Sequence, residues 1–107
     1  MSHPQLGARL RFDMRDKLIR GEERINDKSL WAARRVWRVN PWARSEITHG
    51  VLVGIRNLSE GVVTSHYGEA SEYRPDHWVT VYLVAFDIRR NPIYLMPESV
   101  QILRGTE

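Results

Sequence analysis

The sequence predicts an all-β, mainly antiparallel protein: a five- or six-stranded small barrel preceded by an N-terminal extension. Three observations lead there. In the C-terminal half, short apolar runs recur at intervals of about ten residues with turn signals between them. Several of these runs carry the two-residue alternation of a strand. The length, 107 residues, suits one domain and is too short for a seven-stranded sandwich once the N-terminus is discounted.

The elements follow in chain order. Leu6, Leu10, Met14 and Leu18 recur four residues apart, and Asp13/Lys17 and Asp16/Arg20 are helix-type ion pairs. This spacing favours a helix over about residues 8–20, with Gly21 as its stop, although Arg9 to Arg15 also alternates as a strand would. Residues 1–25 are therefore expected to form an extension, with the barrel in residues 26–107. Val36, Trp37 and Val39 favour a strand from Arg35 that Pro41 ends. Val51, Val53 and Ile55 share one face of a strand over 50–56. Asn57 to Gly61 reads as a turn, and 61–67 as the returning strand. Residues 68–76 form a polar loop. Trp78 to Ile88 is the strongest strand, apolar on both faces and hence central. A turn at 89–92, a strand over 93–96, a break at Pro97 and a last strand over 100–103 complete the chain. The expected core is Val51, Val53, Ile55, Val63, Val81, Leu83, Phe86, Leu95 and Ile102.

The stretch Asn91-Pro92-Ile93-Tyr94-Leu95-Met96-Pro97-Glu98-Ser99-Val100-Gln101-Ile102-Leu103 resembles the end of an SH3-like small barrel. Such folds close with a short strand, a proline-initiated 3₁₀ turn and a final strand. The resemblance covers about residues 36–103 and concerns fold. It implies no proline-rich ligand, because the acidic loop and paired aromatics of signalling SH3 domains are missing. Fold analogy by itself assigns no function.

Composition narrows the classes. Cysteine is absent, which removes disulfides, thiolate nucleophiles and zinc–thiolate sites. Hydrophobic residues at 42% and charged residues at 27% are the balance of a globular, soluble chain. No apolar run reaches the length of a membrane helix, and the first residues do not read as a signal peptide. The expected location is cytoplasmic, with no membrane partner.

Net charge is +3, and fourteen of the sixteen basic residues are Arg. The first 49 residues hold eleven basic and six acidic side chains, and the remainder five and seven. Such asymmetry points to an anionic partner on one side. Between Lys28 and Arg44 there is no acid, and Trp31, Trp37 and Trp42 interleave with Arg34, Arg35, Arg38 and Arg44. Guanidinium groups pair with phosphates and indole faces stack on unpaired bases. The candidate nucleic-acid contacts are thus Arg34, Arg35, Trp37, Arg38, Trp42 and Arg44. The tryptophans equally suit core positions, and a strand with Trp37 inward would turn Val36 and Arg38 to the other face.

Enzyme signatures are missing: no phosphate-cradling glycine loop, no His-Glu-x-x-His, no Gly-x-Ser-x-Gly. No catalytic residue and no cofactor is expected. His66 and His77 flank the 68–76 loop and, with Glu69 or Asp76, define the one conceivable metal arrangement, but strand-end histidines are ordinarily just solvated; no metal is expected. Two functions remain. One is a binding module for DNA or RNA. The other is a protein-interaction component, such as a small subunit, an adaptor or a phage- or plasmid-borne inhibitor, docking through the N-terminal segment or a barrel edge. Composition does not fix the oligomeric state.

Overall fold

The computed structural model describes residues 3–25, 31–65 and 72–103, with the Trp31 side chain outside that description. The described chain forms seven strands: β1 (Arg9–Asp13), β2 (Leu18–Ile25), β3 (Trp31–Val39), β4 (Ile47–Ser65), β5 (Glu72–Ala85), β6 (Ile93–Leu95) and β7 (Val100–Leu103). Two 3₁₀ turns, Met14–Asp16 and Pro97–Ser99, separate β1 from β2 and β6 from β7. All pairings are antiparallel. They make one sheet of order β2-β3-β4-β1-β7, with β5 pairing β4 and β6. The all-β, antiparallel expectation holds, whereas the sheet has seven strands and is not closed. No described helix is long and apolar enough to cross a membrane.

β4 organises the molecule. At 19 residues it is about 60 Å long, matching the longest dimension, 62 Å. One edge pairs with β5 over Val51–Thr64; the other pairs with β1 over Ile47–Val51 and with β3 over Gly61–Ser65. The radius of gyration, 17.0 Å, exceeds the roughly 13 Å of a compact chain of this length, because a four-stranded blade of β2, β3 and the distal halves of β4 and β5 projects from the end that holds the core cluster.

This corrects the expected turn at 57–61, which lies inside β4. Gly61 serves close contact rather than reversal: a Cβ there would stand 2.1 Å from the Arg74 carbonyl oxygen. The expected return strand, 61–67, continues β4 as far as Ser65. Residues 72–76 of the expected loop belong to β5, and 66–71 lie outside the described residues.

The N-terminal helix is corrected too. Residues 9–13 and 18–25 are strands, and the leucine spacing reflects two strands broken by the 3₁₀ turn. Nor is this segment outside the sheet. β1 runs between β4 and β7 and places Leu10 and Phe12 in a cluster with Leu52, Tyr82, Val84, Ile93 and Leu95. Only Val63, Val81 and Leu95 of the expected core are fully buried; Ile55 and Phe86 pack against it half-buried, and Leu83 is half-buried. Val51, Val53 and Ile102 are exposed.

A bulge causes the inversion on β4. The register jumps between Leu52 (opposite Val84) and Gly54 (opposite Leu83), leaving Val53 extra. An extra residue shifts the alternation by one. Leu52 and Ile55, three apart, both face inward opposite Val84 and Tyr82.

Candidate nucleic-acid interface

Cross-strand neighbours share a face, so the registers of the blade sort its side chains. On β3, Arg35 and Trp37 project to one face, and Arg34 and Arg38 to the other. The first face gains Arg20, Glu22 and Arg24 from β2, opposite Trp37, Arg35 and Ala33. From β4 and β5 it gains Ser59 opposite Trp78, Gly61 opposite Pro75 and Val63 opposite Tyr73. Among the described side chains, three arginines and three aromatics thus share a face with one acid, Glu22.

The groups are stacked. The Arg20 guanidinium lies 5.4 Å from the Trp37 ring centroid, and that of Arg35 lies 5.1 Å from the Tyr73 ring, both within cation–π range. Trp37 is half-buried: its Nε1–H donates to the Ser59 carbonyl at 3.1 Å and its ring meets Tyr94 edge to face. The Ser59 and Tyr73 hydroxyls are 2.8 Å apart. Arg35 has one long ion pair, to Glu22 at 3.4 Å, and its buried Nε–H finds no acceptor. Trp78 is 57% exposed although the sequence placed it in the central strand's apolar face.

Arg20, Arg35, Trp37, Asn57, Ser59 and Tyr73 line a cleft of about 240 Å³. It opens where β3 parts from β4. Pairing ends at Arg35 and Gly61; continued, it would set Trp37 opposite Ser59. There the Trp37 amide instead donates to the Glu60 carboxylate at 2.8 Å, so side chains satisfy the groups that the ladder abandons.

The other expected contacts lie apart. Arg34 is held by Asp76 through two hydrogen bonds of 2.8 and 2.9 Å, which lower the Asp76 pKa. The Arg38 side chain drapes over Gly21, where a Cβ would be 2.3 Å from its Nε. Trp42 and Arg44 lie in the β3–β4 loop, where the Trp42 amide bonds Asn40 Oδ1 at 3.0 Å and its indole is 88% exposed. The composition of Leu30–Arg44 named Arg34, Arg35, Trp37, Arg38, Trp42 and Arg44 alike, and of these only Arg35 and Trp37 line the cleft. It could not supply Arg20, Tyr73 or Trp78, because their approach depends on register between separate strands.

Of the conceivable metal ligands, His66 and Glu69 lie outside the described residues, Asp76 is paired to Arg34, and His77 Nε2 is 4.0 Å from Glu60. Among the described residues no three acids or histidines gather as a metal site would require. His3 stands 3.0 Å from the Tyr82 hydroxyl.

No protein-family model matches this chain, and neither a curated protein nor a solved structure matches it.

Proposed function

We propose that this chain is a non-enzymatic module that binds single-stranded DNA or RNA across the Arg20–Arg35–Trp37–Tyr73–Trp78 face. The observation that carries the reading is the pair of guanidinium–aromatic stacks beside an exposed indole. Aromatic faces offer platforms to unpaired bases of any sequence, and arginines at their margins suit phosphates. Arg35, whose one ion pair is the long contact to Glu22, retains terminal guanidinium N–H donors for an anionic oxygen. A duplex hides its base faces, so single strands are the better fit.

The SH3-like reading of the scaffold belongs to the same proposal. It is supported by the ending of the chain, where β6, the Pro97–Ser99 turn and β7 follow one another. The β2–β3 hairpin and the unclosed sheet go beyond a five-stranded barrel and supply half of the proposed face.

Quenching of tryptophan fluorescence by a single-stranded oligonucleotide tests this. Binding is expected at about 50 mM salt. With about three phosphates met by Arg20, Arg24 and Arg35, log K should fall with log salt at a slope of roughly −2. If neither DNA nor RNA single strands bind, the reading fails and a protein-interaction component, docking by a sheet edge, takes its place. Docking through a free N-terminal segment has less support, since β1 is inside the sheet.

A further inference from the structure

On the far end of the molecule, away from the blade, the outward side of the sheet carries an apolar groove of about 490 Å³. Its floor is one cross-strand row. Leu103 is opposite Arg9, Arg9 opposite Val51, and Val51 opposite Ala85. These residues point away from the core that Leu10, Leu52 and Val84 form on the other side. Ile88, just beyond β5, lines the groove and is fully exposed; Ile47 and Val53 on β4 are also exposed. Like His49, Arg9 and Asp87 line the groove. Among the described residues neither makes an ion pair.

We infer that this groove takes a second copy of the same chain. The two copies pair about a two-fold axis, with Ile88 of each in the groove of the other and Arg9 of each facing Asp87 of the other. Charge complementarity selects this occupant. A two-fold interface uses one patch on both sides, so the patch must be complementary to itself. Here a projecting aliphatic side chain accompanies a groove that can receive it, and a base accompanies an acid. A surface adapted to an acidic or a basic partner would carry one sign. A stable pair needs roughly 800 Å² from each copy, and the exposed Ile47 and Val53, on the same side of β4 as Val51, extend the apolar area beyond the groove. This inference is independent of the nucleic-acid reading.

Sedimentation equilibrium of the full chain, from about 1 µM to about 200 µM, tests it. The mass should rise from 12.5 kDa toward twice that value. Ile88→Asp, at a fully exposed position, should keep the thermal melt and weaken association at least tenfold. Arg9→Glu should weaken it, and Arg9→Glu combined with Asp87→Arg should restore it. A monomer at every concentration overturns the proposal and leaves the groove to another occupant. A dimer indifferent to Ile88→Asp, or one that the charge swap does not restore, overturns it as well.

Discussion

Trp37 and Glu60 are joined where β3 and β4 separate, the Trp37 amide donating to the Glu60 carboxylate at 2.8 Å. The same residue pair marks three events. The β3–β4 ladder has just ended at Arg35, β4 shifts register against β5 between Glu60 and Gly61, and the cleft begins. A side-chain acceptor thus holds the strands apart without orphaning a backbone donor. The cleft exists because β4 changes neighbours along its length, from β1 to β3.

The bulge at Val53 makes the two faces of β4 unequal in energy. Leu52 is fully buried and Val53 is 42% exposed. Leu52→Ala should therefore cost about 2–5 kcal/mol, through lost burial and the cavity left behind. Val53→Ala should stay within about 0.5 kcal/mol. Denaturant midpoints of the two variants check this, and similar losses at both positions would restore the Val51/Val53/Ile55 face that simple alternation suggests.

That inversion shows what local pattern conveys and what it does not. β6, the Pro97–Ser99 turn and β7 were legible because the runs are short and Pro92 and Pro97 bound them. β5 was legible over Val79–Ala85 because both faces are apolar. β4 was not, since one extra residue at Val53 reverses an alternation and nothing in the residue types announces it. Gly61 looked like a turn because glycine serves both reversal and close backbone approach. Residues 9–25 fit helical and strand periods alike, and pairing with distant β4 and β7 decided between them. For the candidate site, composition pointed to Arg34, Arg35, Trp37, Arg38, Trp42 and Arg44 without distinction, and the strand's period sets Arg34 and Arg38 on the face opposite Arg35 and Trp37. Arg20, Tyr73 and Trp78 reach the site only through register.

Gly61 provides a second check. A methyl group there would meet the Arg74 carbonyl oxygen at 2.1 Å and Pro75 Cα at 2.6 Å, both backbone atoms that cannot rotate aside. Gly61→Ala should push β5 away and cost more than about 1 kcal/mol. A thermal melt measures it, and an unchanged midpoint would mean that β4 and β5 are not this close.

Asp13 predicts the acid limb of stability. Its carboxylate accepts from Ser45 Oγ at 2.5 Å and from the Arg15 and Glu46 amides at 2.9 Å each. The Ser45 bond foremost, then the two amides, lower its pKa from 3.8 to about 2. A carboxyl depressed in the folded state contributes stability that is fully present above its unfolded pKa and is lost as pH falls toward the folded value. The midpoint temperature should therefore drop as pH falls from about 4 to about 2. Asp76, lowered by its bonds from Arg34, contributes in the same direction. Asp13→Asn should melt earlier near neutrality and lose less on acidification. Parallel curves of midpoint against pH for the two proteins would show that Asp13 contributes nothing.

The last prediction separates the face from the linear segment. If the blade face binds a single strand, Trp78→Ala should weaken binding by about five- to a hundredfold, the measure of one lost base stack. The melt should stay nearly unchanged, because Trp78 is 57% exposed. Arg20→Glu with Arg35→Glu should abolish binding, since both guanidinium groups stand beside the stacked rings. Arg38→Glu, on the opposite face, should leave the salt slope as it was. Arg34→Ala should lower the melting temperature by releasing Asp76 and likewise spare the slope. Fluorescence titrations over a salt series, paired with melts, read all four. The segment read along the sequence makes the reverse forecast: Trp42→Ala and the Arg34 and Arg38 variants would weaken binding while Trp78→Ala would not. That second pattern would place the contacts on the Arg34–Arg38 face of β3 and the β3–β4 loop and remove the blade face from the site.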